Sequence, residues 1–215
     1  MNSWFRVQTL VDDLSSVFGM KNIGKFACFL GLQITYSDSR DIFVSQEKYA
    51  RDLLQKSGLT SCRACPTPCK PHTRVLKEEG EVLSNPTMFR SIVGALQYLT
   101  FTRTDIAYLV NTAYQYMTAP TDVHFHLIKR ILRYVQGTPK HGISFTTGPW
   151  HLTAYSDADW AEDINTMRST TGFVVFLSHN PESWQSKKQS SVSRSSTEAE
   201  YQALANSAAD LFWIQ

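Results

Sequence analysis

The chain has 215 residues, 42% of them hydrophobic and 19% charged, with a formal net charge of +2. This length buries roughly 70% of the unfolded surface without disulfide or metal staples. The composition excludes a disordered tail and any collagen-like or prion-like bias. No apolar run approaches the roughly 18 residues of a membrane span. The N-terminal stretch lacks the basic and apolar regions of a secretory signal. Four cysteines without such a signal point to a reducing, intracellular setting. The charge is unevenly spread. Residues 82–156 carry Asp105 and Asp122 as their only carboxylates, whereas residues 157–215 are acidic. A basic middle suits a polyanion, and an acidic end suits a cation.

In chain order, Val7, Leu10, Val11, Leu14 and Phe18 predict a short helix. FACFLGLQIT and DIFVSQ read as strands of a hairpin. QEKYARDLLQKSGL reads as a helix stopped by Gly58. Residues 61–86 gather Pro66, Pro68, Pro71 and Pro86 with Cys62, Cys65 and Cys69. They read as a loop or tether.

Two or three helices are expected over 87–140. The first carries Phe89, Ile92, Val93, Leu96 and Leu99. TDIAYLVNTAYQYMT continues after a break. The last runs from a Thr-capped start to Gly137, with an apolar stripe of Leu127, Ile128, Ile131, Leu132 and Val135. His126, Lys129, Arg130 and Arg133 share its other face. After Gly142 the period switches to two. ISFTT, HLTAYSD, GFVVFLS and ESWQSKKQ read as four strands, and STEAEYQALANSAADLFWIQ as a closing helix. This order reads as the first half of an α/β domain, with the end at Gln215 as a cut.

Seven strings stand in a fixed order: FLGLQI with IFVSQEKYARDLL, FRSIVGALQYLTFTRTDI, LIKRILRYVQGT, AYSDADWA, RSTTGF, SWQSKKQ and SRSSTEAEY. Together they resemble the Pol polyprotein of copia-type LTR retrotransposons, between the polymerase palm and the middle of the RNase H domain. The chain also resembles products of plant mitochondrial genomes that are relics of such elements. The resemblance implies an α/β chain. Residues 1–60 would be the palm end with a primer-grip-like hairpin, 61–86 the loop, and 87–140 a helical thumb or connection. Residues 141–215 would be a truncated RNase H-like mixed sheet with one helix. The implied ancestral activities are RNA-directed DNA synthesis and cleavage of RNA in an RNA–DNA hybrid. The alternative is a binding module for hybrid or template–primer that carries out no chemistry.

The resemblance also places roles on residues. Asp157 and Glu200 match two carboxylate ligands of the RNase H metal centre, where Mg²⁺ ions activate water and stabilise the leaving oxygen. The family's later aspartates have no counterpart here, so weak Mg²⁺ binding and no efficient cleavage are expected. On spacing alone the same carboxylates read as surface groups. Phe29, Leu30, Gly31 and Leu32 match the primer-grip hairpin. Arg90, Gly94 and Tyr98, four apart on one helix face, match a thumb helix that tracks the minor groove. Without the family, Gly94 reads as a site of close helix packing or of close ligand approach. Lys129, Arg130 and Arg133 suit phosphates, or else a solvated face. Arg168, Lys187 and Lys188, with Arg194, add charge near Asp157.

Two constellations are set aside. Asp12 and Asp13 stand in a helical segment close to Met20 and do not match the polymerase dyad, so the polymerase centre is absent. Cys62, Cys65, Cys69 and His72 have zinc-ligand residue types, but their spacing is cramped and stiffened by proline. The chain departs from the family at Thr104 where proline is usual, at Glu162 where glycine is usual, and at Met167 where a basic residue is usual.

Overall fold

A computed structural model describes residues 3–19, 27–39, 41–69 and 75–215. Helix α1 (Ser3–Val17) opens the chain. Strands β1 (Cys28–Phe29), β2 (Leu32–Tyr36) and β3 (Ile42–Ser45) follow, then α2 (Glu47–Lys56). Helices α3 (Thr87–Leu99), α4 (Ala107–Tyr114) and α5 (Asp122–Gly137) form the middle, with a 3₁₀ turn at Thr104–Ile106. Strands β4 (Gly142–Phe145), β5 (Leu152–Asp163), β6 (Arg168–Leu177) and β7 (Asn180–Lys188) precede α6 (Ser196–Ile214).

The main core is helical. Leu54, Phe89, Val93, Leu96, Ile106, Val110, Ile128, Ile131, Leu132 and Val135 are buried together. These are the residues that the 3.6-residue period puts on one face of each helix. Helix α5 starts at a capping box. Thr121 accepts from the His124 backbone N–H, and His124 Nδ1 accepts from the Thr121 N–H at 2.9 Å. His124 Nε2 lies 3.0 Å from the Leu76 carbonyl. With Nδ1 accepting, the ring proton sits on Nε2.

The sheets differ from expectation in two respects. ISFTT was expected to begin the final sheet. Instead β4 pairs antiparallel with β3, in the order β1-β2-β3-β4. Alternation in a sequence marks a strand but not its partner. Gly142 makes the pairing possible, because a side chain there would collide with the Val44 carbonyl. The final sheet, β5-β6-β7, was expected to be mixed, but both its pairings are antiparallel. A parallel pair needs a crossover of about a dozen residues or more. Here Ile164–Met167 and Ser178–His179 are tight links.

Residues 60–69 are strapped to α5 and do not hang as a tether. Arg133 Nε donates to the Arg63 carbonyl at 2.7 Å, and Gln136 Nε2 to the Thr60 carbonyl at 2.7 Å. The Cys65 N–H donates back to the Arg133 carbonyl at 3.1 Å.

One buried ion pair ties the helices together. Arg103 is 2% exposed and forks onto Asp105, at 2.9 Å and 2.8 Å. Its Nη1 donates to the Thr138 carbonyl at 2.9 Å, Nη2 donates to Thr138 Oγ1 at 2.7 Å as well as to Asp105, and the guanidinium lies over the Tyr134 ring. Losing one partner of a buried pair strands the other charge. Asp105→Ala should therefore lower unfolding free energy by roughly 3 kcal/mol, the low end for such pairs, because Asp105 is itself 33% exposed. Arg51→Ala, which breaks an exposed pair with Glu47, should cost less than about 0.5 kcal/mol. Urea unfolding of the two variants checks the contrast.

Candidate nucleic-acid interface

The hairpin of Phe29–Leu32 turns on Leu30 and Gly31, with φ of 47° and 77°. Two positive φ values make a turn of the type that matches strand twist. Leucine is strained there. What holds it is Tyr98 of α3, whose hydroxyl donates to the Leu30 carbonyl. The Tyr98 ring packs edge-on against Tyr49 and Phe101, with centroids 5.0 Å and 5.5 Å away. Gly31 faces the same ring, since a side chain there would contact it at 3.7 Å. The fold thus joins two segments that lie 68 residues apart. Leu30 stays 71% exposed at the tip.

The rest of the α3 face is mixed. Nothing lies within 4 Å of a side chain added at Gly94. Close helix packing, one of the two readings from residue type alone, is therefore corrected: the glycine leaves an open surface. Arg90 is exposed, but it donates to the carbonyls of Met117 at 2.8 Å and Thr118 at 3.2 Å. It fixes the segment between α4 and α5.

The basic residues divide into engaged and presented groups. Arg130 donates to Thr67 Oγ1 at 2.8 Å and the Cys69 carbonyl at 3.3 Å. Arg133 holds Arg63, as above. Lys129 is exposed and lies 5.0 Å from the Phe125 ring. In the last sheet Lys188 pairs with Asp163 at 2.5 Å. Lys187 is exposed, and Arg168 stands opposite Asp163 in the β5–β6 ladder.

Asp157 and Glu200 are both exposed. Each adjoins a buried contact: Ala158 of β5 packs with Ala199 and Ala203 of α6. Small side chains let the helix approach the strand. Gln189, 5% exposed, locks the approach. Its amide donates to Thr171 Oγ1 and to the Ala199 carbonyl, both at 3.0 Å, and accepts from Ser193 Oγ at 3.0 Å. Ser195 caps α6 by accepting from the Glu198 N–H. The SWQSKKQ and SRSSTEAEY strings thus position Glu200 above β5. Gly172, opposite Asp157 in the ladder, has open space beside it.

Two exposed carboxylates are fewer donors than a two-metal hydrolytic centre uses. Among the described residues no group of three His, Cys, Asp or Glu could hold a metal ion. The residues present therefore do not by themselves fit a bound Mg²⁺ pair. Of the cysteine set, Cys62, Cys65 and Cys69 are free thiols, and His72 lies outside the described residues.

The sequence reading missed the Asp163–Lys188 and Arg103–Asp105 pairs and the Tyr98–Leu30 bond. Only the Arg-x-Asp spacing carried a local signal for any of them. Burial raises Asp163, but hydrogen bonds from Lys188, Thr166 and Asn165 outweigh it and hold its carboxyl at about 2. Burial lowers His124 below its ordinary 6.5, against the opposing pull of Leu76, Glu79 and Asp122.

Both groups bind fewer protons folded than unfolded, so stability rises with pH. The His124 contribution should be intact above pH 6.5 and fall as pH drops below it. The Asp163 contribution should be lost between 3.8 and about 2. Urea unfolding across this range should show both losses. His124→Gln should remove the upper one.

The retrovirus-related Pol polyprotein from transposon RE1 of Arabidopsis thaliana is 44% identical over 205 residues, 95% of this chain. That of transposon TNT 1-94 of Nicotiana tabacum is 34% identical over 219 residues, 97% of this chain. This chain spans 14% and 16% of their lengths. An uncharacterized mitochondrial protein of Arabidopsis thaliana is 47% identical over 207 residues, 95% of this chain and 85% of that protein. No family model matches, and no solved structure matches.

Proposed function

We propose the function of this chain from its family: it belongs to the Pol polyproteins of copia-type LTR retrotransposons. The segment it represents is the junction of reverse transcriptase and RNase H. In this reading residues 1–60 end the palm, 87–140 are thumb and connection, and the β5–β7 sheet with α6 begins an RNase H-like domain. The chain binds an RNA–DNA hybrid or template–primer and does not by itself cut it.

One observation carries this reading. The Tyr98 hydroxyl seats the exposed hairpin tip beside the open surface at Gly94. A glycine without neighbours on an exposed helix face has no packing reason, and it costs about 1 kcal/mol relative to alanine. Close approach of a sugar–phosphate backbone gives it one. The hairpin presents its exposed turn at Leu30 and Gly31, whose Leu30 carbonyl is held by the Tyr98 hydroxyl. Lys129, Arg168 and Lys187 supply sequence-independent phosphate contacts. Arg90, Arg130, Arg133 and Lys188 act mainly by holding the elements that carry these groups.

Asp157 and Glu200 are inheritance in this reading. Mg²⁺ would supply the activated water and leaving-group stabilisation in a complete centre. The two carboxylates are too few to assemble one, so cleavage is not the activity of this chain.

The test is fluorescence anisotropy of a short labelled hybrid at about 50 and about 200 mM salt, where several phosphate contacts lower affinity by orders of magnitude. Binding that falls steeply with salt is expected, with no cleavage on adding Mg²⁺. Gly94→Leu should weaken binding about tenfold or more without loss of stability, because the fold leaves room for the side chain. Mg²⁺-dependent cutting abolished by Asp157→Asn would overturn the non-catalytic reading. No binding at low salt would overturn the binding reading itself.

A further inference from the structure

A cleft of about 780 Å³ lies between the α4–α5 pair and the corner where β5 turns into β6. Its walls carry opposite charge. Lys129, Arg130 and Arg133 of α5 stand on one side, and Asp159 and Glu162 of β5 on the other. These charges do not meet. Among the described residues the ion pairs are Arg51–Glu47, Arg103–Asp105 and Lys188–Asp163. The third consumes Asp163, also on the cleft, and leaves Asp159 and Glu162 unpaired.

A ligand that carries groups of both kinds can meet the two walls of this cleft at once. Closure is resisted. The basic wall is pinned to residues 63–69 by Arg130 and Arg133, and the acidic wall is a strand bulge fixed by the Lys188–Asp163 bond.

The floor between the walls is apolar and rigid. Tyr116 stacks on His124 with centroids 3.9 Å apart, and its hydroxyl donates to the Val75 carbonyl at 2.8 Å. Leu109, Leu127 and Ile164 complete it. The volume is that of a small-molecule site.

We propose that this cleft binds a nucleoside monophosphate, a site distinct from the duplex-binding face at Tyr98 and Gly94. The three features of the cleft select the three parts of such a ligand. A phosphate meets the N–H groups of Arg130 and Arg133 that are not spent on residues 63–69, by charge-assisted hydrogen bonds. Ribose hydroxyls or base amino groups donate to Asp159 and Glu162. The flat ring covers the floor beside Tyr116. Inorganic phosphate would leave the acidic wall unmet, and a free nucleoside would leave the basic wall unmet. The same chemistry has two sources, a free mononucleotide or the terminal nucleotide of a single strand.

The test is calorimetric titration of the whole chain with adenosine 5′-monophosphate, inorganic phosphate, adenosine and a 5′-phosphorylated RNA tetranucleotide. The monophosphate should bind about tenfold or more tighter than phosphate or adenosine alone. Equal affinity of tetranucleotide and monophosphate marks a free nucleotide, and a tighter tetranucleotide marks a strand end. Arg130→Gln should remove the phosphate advantage. It also loosens residues 67–69, so the double variant Asp159→Ala/Glu162→Ala provides a second arm at the cleft's other wall. That variant should weaken monophosphate binding about fivefold or more at unchanged melting temperature. A monophosphate that binds no better than phosphate, or binds equally to both variants, overturns the proposal. Hybrid binding without monophosphate binding would overturn this site and leave the duplex reading standing. Monophosphate binding without hybrid binding would do the reverse.

Discussion

The burial of Arg103 is the constraint on which the rest of this structure depends. A guanidinium with 2% exposure is tolerable only when its donors and its charge are answered. Asp105 answers the charge from two residues away, and Thr138 answers two donors from the far end of α5. Three pieces of chain are thereby fixed to one another: the end of α3, the start of α4 and the exit of α5.

The candidate surfaces hang from that joint. Tyr98 sits at the end of α3, just before the Arg103 turn, and from there it holds the hairpin at Leu30. Trp184 of β7 donates to the Thr100 carbonyl at 3.3 Å in the same turn, which docks the last sheet on the helices. The basic face of α5 runs back from Thr138 toward Thr121. One turn therefore sets the positions of the hairpin tip, the α5 cations and the sheet that carries Asp157. A change in this turn would act on all three at once, without touching any ligand.

The sequence made the local parts legible. The stripes of α3 and α5, the Thr121 cap and the stop at Gly58 follow from periodicity and capping, and the structure has them. The family resemblance is likewise carried by ordered strings, and the relatives match 95% or more of the chain. What stayed hidden depends on partners far along the chain. The pairing of β4 with β3 rests on Gly142 fitting under Val44, which no strand pattern encodes. Arg130 and Arg133 read as free cations because residue type does not say that a proline-rich loop will take their donors. Gly94 left packing and ligand approach open because a glycine's reason lies in its neighbours, and the structure puts none within 4 Å of an added side chain. Asp163 and Lys188, 25 residues apart, meet only once the bulge in β5 is in place.

Inheritance of contacts without inheritance of chemistry is the functional account these features support. The contacts need only a seated hairpin, an open helix face and presented cations. The proposed loss of chemistry rests on Asp157 and Glu200 having no third grouped metal-ligating side chain among the described residues. Hydrogen–deuterium exchange of the chain with and without a short RNA–DNA hybrid tests this most directly. Slowed exchange at residues 28–32 and 90–101, with residues 152–160 and 196–204 unchanged, is the result the account requires. Protection centred on Asp157 and Glu200, with none at the hairpin and α3, would contradict it.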